Sequence, residues 1–238
     1  MDEGSVLSSW SSAKGDREMN VAIHRNVFCA LEVEAMIAAA TCPWWRSMIQ
    51  LGVSTGLRTT EALWLAWADC DFAAMAITLT CEPVSYPAGG DEIPRPELPL
   101  HRRRIVPMSS HVADSLCELR DRNSRGAFVF IPDWKIDQLW LDIYAGHPVR
   151  PDRIAPGLYG YFRYVQRCAR LWLARRLGIE LAALRWSYRP LSALRNTYAA
   201  TLAGEVRPTE RAGNMGVARL REFLGYFDIS AATTGGTA

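Results

Sequence analysis

Arginine dominates the groups in this chain that could do chemistry. The 238 residues include 25 Arg and only two Lys, Lys14 and Lys135. A guanidinium stays charged at neutral pH, and its planar fork matches two oxygens of a phosphate at once. It holds an anion well but does not give up a proton. The charge is also unevenly spread. Residues 1–156 carry 15 basic and 20 acidic groups, a balance of −5, whereas residues 157–238 carry 12 Arg and 5 acids, a balance of +7. Arg102, Arg103 and Arg104 run together beside His101. Arg163, Arg167 and Arg170 are spaced four and three apart, which places them on one side of a helix. Such clusters suit contact with the phosphates of a nucleic acid. A solvated helix face, or a genome rich in arginine codons, would give the same composition.

Other chemistries find less support. The six cysteines, Cys29, Cys42, Cys70, Cys81, Cys117 and Cys168, lie at least 11 positions apart. There is no CxxC pair, so neither a metal nor a redox site is implied, and no cofactor is expected. The thiols read as small, reduced hydrophobes. The longest apolar runs, such as Ala62–Ala68, are far too short to span a bilayer. The polar N-terminus lacks an apolar segment of the secretory kind. A cytoplasmic protein without a membrane partner is expected. Apolar residues at 49% and charged residues at 22% exclude a disordered chain.

The elements that must position these arginines follow from periodicity. Residues 1–26 are rich in Ser, Asp and Glu and read as a flexible tail, leaving 27–238 as one domain. Helices are predicted at about Ala30–Ala40, stopped by Pro43, at Trp45–Ser54, and from Thr59, which can cap its own helix. The segments Met75–Thr80 and Arg104–Met108 read as paired strands. Between them lies a connection with five Pro and two Gly, too long for a tight turn. Further helices are predicted at Ser110–Asn123, Leu158–Leu177, Leu191–Ala203 and Val217–Tyr226. The expected fold is mainly α with a small antiparallel β-sheet.

Three motifs occur in order on this framework. The first, LGVSTGLRTTEALWLAWADCDF at 51–72, carries Thr55, Gly56, Arg58, Glu61, Leu65, Trp67 and Asp69. The second, PLSALRNTYAATL at 190–202, carries Leu194, Arg195, Thr197, Tyr198 and Ala199. The third is LREFLGYFDISAAT at 220–233. Together, and with a strand pair between the first two, they resemble the catalytic domain of the tyrosine recombinase (phage integrase) family over about residues 27–233. The resemblance implies Arg58 and Arg195 as two guanidiniums that neutralise a scissile phosphate, a tyrosine that forms a 3′-phosphotyrosyl intermediate, and double-stranded DNA as the partner.

The departures from the family pattern bear on activity. Neither lysine falls on the strand hairpin, where the family has one; the nearest cations are Arg102, Arg103 and Arg104. Ser192 stands at the histidine position of the second motif. The four histidines, His24, His101, His111 and His147, all lie upstream of residue 148, so neither C-terminal histidine of the family is present. Tyr226 fits two alignments. Matching Leu224-Gly225-Tyr226 to the family's L-G-H puts it in place of the second histidine and leaves no tyrosine for the nucleophile. Matching Met215-Gly216-Val217 instead puts Tyr226 in the nucleophile's place. The family's separate N-terminal clamp module has no counterpart in a 26-residue tail.

Three functions remain open on these grounds. One is a strand-exchange protein of a mobile element, acting in DNA integration or recombination with impaired catalysis. Another is a non-enzymatic DNA-binding accessory subunit that assembles with or regulates an active recombinase, or with copies of itself. The third is a helical protein–protein module whose arginine face is incidental.

Overall fold

The computed structural model describes residues 26–80, 82–85, 92–93, 95–96, 98–122, 126–132, 135–145 and 151–203. Its helices are α1 (Ala30–Ala39), α2 (Pro43–Thr55), α3 (Thr59–Leu63), α4 (Ser110–Arg122), α5 (Ile136–Tyr144), α6 (Pro151–Ile154), α7 (Leu158–Leu177) and α8 (Ala193–Ala203). Its strands are β1 (Cys70–Asp71), β2 (Ala76–Leu79), β3 (Val84–Ser85), β4 (Glu92–Ile93) and β5 (Arg104–Pro107). The mainly helical reading with a small antiparallel sheet holds.

The helix α2 carries much of the core. Met48, Ile49, Leu51, Gly52 and Thr55 are all buried on it, and it packs against α1, α3, α4 and α8. Toward α4, the Ser47 hydroxyl donates to the Ser115 carbonyl at 3.0 Å. Toward α8, the approach is so close that a Cβ on Gly52 would fall 2.8 Å from the Leu194 Cβ. The helix α1 lies on α7, and Trp45 at the start of α2 stacks on Phe162 of α7 at 5.9 Å between ring centroids. The chain entering α1 is fixed to α8, because the Phe28 N–H donates to Thr197 Oγ1 at 2.9 Å.

Two helix starts differ from the sequence reading. Pro43 does not merely stop α1; it is the first residue of α2. That position needs no N–H and suits the fixed φ of proline. Thr59 is likewise the first helical residue of α3 rather than its cap. The orphan N–H of Arg58 is taken by the carboxylate of Glu61, three residues on, at 2.8 Å.

The central sheet has the order β1-β2-β5, all antiparallel, with Leu79 opposite Arg104 and Ile77 opposite Val106. The sequence reading found β2 and β5 but not β1, whose two residues show no periodicity. The long β2–β5 connection contains a second, two-stranded pair, β3 with β4. Helices α5 and α6 were also not read from the sequence. The expected helix Val217–Tyr226 lies outside the described residues. No described helix is long and apolar enough to cross a membrane.

Candidate functional site

The site is built where the end of α2, the start of α3, the start of β5 and the middle of α8 meet. After α2 the chain must reverse into α3, and Gly56 does this in the left-handed region at φ +64°. Its N–H closes on the Gly52 carbonyl at 3.2 Å. Two residues later Arg58 opens α3, and one short turn puts Glu61 back beneath it. The Glu61 carboxylate is 2% exposed and holds Arg58 Nη1 at 3.0 Å.

A second guanidinium reaches the same carboxylate from the sheet. Strand β5 alternates faces, so Arg104 points the same way as the fully buried Val106, while Ile105 and Pro107 point outward. The Arg104 fork embraces Glu61, with Nη2 at 3.0 Å from Oε2 and Nη1 at 3.3 Å from Oε1. Arg104 Nη1 also donates to the Arg102 carbonyl at 2.8 Å. The third guanidinium, Arg195, comes from α8 and donates through Nη1 to the Gly56 carbonyl.

The electrostatics follow from this crowding. Burial works to raise the Glu61 carboxyl, but the hydrogen bonds and charge of Arg104, with the N–H and charge of Arg58, outweigh it and hold the group below its ordinary value. Arg195 is pushed down to about 10, first by burial and then by the like charge of Arg58, with Arg104 and Arg102 adding to the effect and Glu61 opposing it. Two guanidiniums thus bind the Glu61 carboxylate, and a third, Arg195, lies close enough to feel the charges of all three groups. An arrangement of this kind favours an anion with several oxygens.

Other residues singled out in the sequence are placed as follows. Arg102 precedes β5 in a short 3₁₀ turn, and its charge acts on Arg195. Arg103 faces outward, and its Nε donates to the Leu98 carbonyl at 3.3 Å. Ser192 is exposed, one turn before Arg195, and its carbonyl receives the Asn196 N–H at 3.2 Å. On α7, Arg163 and Arg167 are exposed, and Arg163 lies over the Tyr188 ring at 5.2 Å. Arg170 turns onto its own chain, with Nη2 donating to the Leu181 and Leu184 carbonyls at 2.7 and 3.2 Å. Tyr226 lies outside the described residues. Among the described residues no group of three or more His, Cys, Asp or Glu could hold a metal ion.

Two buried ion pairs escaped the sequence reading. Arg95, inside the long β2–β5 connection, grips Asp69 with Nη2 at 3.1 Å from Oδ1, and both side chains are almost wholly buried. This anchors the connection next to β1. Arg189, three residues before Ser192, holds Glu32 of α1 at 2.8 Å. The Arg189 backbone also exchanges two hydrogen bonds with the buried Gln166 amide, each 2.9 Å. Sequence separations of 26 and 157 left no local signal for either pair.

Comparison with solved structures places the fold. The crystal structure of XerA recombinase superposes with a TM-score of 0.55 at 14% identity, over 84% of this chain and 59% of that one. The Tn1549 transposon integrase, in complex with transposon right end DNA, gives a TM-score of 0.58 at 16% identity, over 85% of this chain and 61% of that one. XerH site-specific recombinase, bound to difH substrate in a pre-cleavage complex, gives 0.52 at 15% identity, over 84% and 50%. The chain therefore spans about half to three-fifths of the length of these proteins. Its fold is that of a tyrosine-recombinase catalytic domain. No family profile matches the chain, and no curated protein matches it in sequence.

Proposed function

We propose that this chain is a tyrosine-recombinase-like DNA-binding protein in which Arg58, Arg104 and Arg195 grip a backbone phosphate, and that alone it breaks DNA poorly or not at all. The observation that carries the reading is the gathering of Arg58 and Arg104 on the Glu61 carboxylate with Arg195 beside them on the Gly56 carbonyl. A phosphodiester placed there would present several oxygens to these guanidinium donors. Arg58 and Arg195 would orient its non-bridging oxygens and stabilise the charge that grows when a nucleophile attacks. In strand exchange of the kind the resemblance implies, a tyrosine oxygen bonds to phosphorus, the bond to the 5′ oxygen breaks, and that oxygen takes up a proton.

The weak point is the proton. Arg104 occupies the hairpin, and an arginine supplies charge there but not an acid. Ser192 stands where the family has a histidine. Loss of one general acid–base group typically costs roughly 10²–10⁴-fold, and two such losses approach silence. Binding with little cleavage also suits an accessory role in DNA integration, with a partner recombinase supplying the acid. A mobile-element origin, assembly with further copies and a cytoplasmic location belong to the same proposal.

The test combines two measurements on the full chain. Duplex binding should weaken steeply as salt rises, because each neutralised phosphate releases counterions. Salt-independent binding would overturn the phosphate reading. A suicide duplex nicked beside the scissile phosphate should give no covalent band on a denaturing gel. A band that disappears in Tyr226→Phe would overturn the impairment and identify Tyr226 as the nucleophile.

A further inference from the structure

The end of α1, the start of α2 and one side of α7 border an open cleft of about 340 Å³, and none of its lining residues belongs to the anion site. Pockets that hold small ligands run from roughly 300 to 1,000 Å³. The α7 wall is Tyr161, Tyr164, Val165 and Cys168, spaced three, one and three apart and therefore on one side of the helix. Trp45 lines the cleft from α2. It is 8% exposed and stacks on Phe162, so its ring is a fixed wall. Tyr161 and Tyr164 differ from it, standing 61% and 63% exposed. Three aromatic side chains thus border one cleft, and two of them are left largely to solvent.

Charge narrows what would fill this space. The α7 helix carries five Arg and no Asp or Glu. Arg167 is exposed and follows Tyr164 by three positions, which sets it beside the cleft. An aliphatic side chain of a protein partner would use the rings but not the charge. A nucleotide uses both, because any base can stack on an aromatic ring while its phosphate meets a guanidinium. Bases within a perfect duplex are paired and stacked on one another, so only an unpaired base can enter. We infer that the cleft is a stacking site for one unpaired nucleobase of a DNA strand, with the base among Trp45, Tyr161 and Tyr164 and the adjacent phosphate on Arg167. The inference rests on the DNA-binding reading above and adds to it a preference among forms of DNA.

The experiment measures binding of the full chain to a short fluorescent duplex and to the same duplex carrying one bulged nucleotide, across a salt series. Wild type should bind the bulged duplex roughly 5- to 150-fold more tightly, the worth of one stacked base. Replacing Tyr161 and Tyr164 together by Ala should abolish this preference and leave perfect-duplex affinity and its salt slope unchanged. Both side chains are more than half exposed, so the melting temperature should change little. Replacing the same pair by Phe should keep the preference, since stacking needs only the rings. Equal affinity of wild type for the two duplexes, with steep salt dependence retained, would overturn the cleft assignment alone. So would a preference that survives in the Ala pair or disappears in the Phe pair. Absent or salt-independent binding of both duplexes would overturn the phosphate reading and this inference with it.

Discussion

Replacing Gly56 by alanine tests the geometry on which the site depends. Two costs add. At φ +64° an L-residue meets its own carbonyl, which costs roughly 1–2 kcal/mol. The new methyl would lie 2.2 Å from Tyr198 Cδ1, well inside contact distance, and Tyr198 is buried. Forcing an extra carbon into a packed interior costs about 1–3 kcal/mol. Together these predict a loss of about 2–5 kcal/mol, which for a domain of this size lowers the melting temperature by roughly 4–20 °C. Gly178→Ala is the matched control. Gly178 has the same φ of +64° but nothing within 4 Å of its would-be Cβ. It should therefore lose only the backbone part, about 1–2 kcal/mol. Calorimetric or circular-dichroism melts of both variants give the comparison. Duplex binding of Gly56→Ala should also weaken, because the displaced Gly56 carbonyl no longer steadies Arg195. Equal melting temperatures for the two variants would refute the Gly56–Tyr198 contact and the reasoning built on it.

Glu61→Gln should destabilise the chain by about 3–5 kcal/mol, since it removes the buried charge that the buried Arg104 grips with both nitrogens. Because the native Glu61 value lies below the ordinary 4.5, its stabilisation is full above that pH and fades as the pH falls through the native value. Acid unfolding should thus depend less on pH in Glu61→Gln than in wild type, and parallel curves would contradict the assignment. Asp69→Asn should cost a similar 3–5 kcal/mol by stranding Arg95, and limited proteolysis should cut the β2–β5 connection faster. Replacing Arg163 and Arg167 together by Ala should weaken duplex binding and flatten its salt slope if the α7 face meets DNA; an unchanged slope would return that face to plain solvation. Arg170→Ala should instead lower the melting temperature, because that side chain ties down the Leu181 and Leu184 carbonyls.

The sequence alone determined the elements that carry a strong local pattern. The helix α7 was legible to the residue, because twenty positions of 3.6-residue periodicity end at Gly178 in the left-handed region. The β2–β5 pairing was legible from two short β-branched runs, and Arg58, Glu61 and Arg195 from motifs whose spacing is local. What it could not determine was which arginine packs where. The run Arg102–Arg104 reads as three equal charges, yet strand alternation buries Arg104 on Glu61 and leaves Arg103 on the outside. The period of two was present in the alternation of Arg104 with Val106, but the register that aims it at α3 depends on pairing Leu79 with Arg104. Convergence of Arg58 with Arg195, and the seating of Tyr198 on Gly56, join residues more than 130 positions apart. No short-range preference encodes such contacts. They arise because Gly52 and Gly56 have no side chain, so α8 can pack closely on α2 and bring Arg195 to the carbonyl of Gly56.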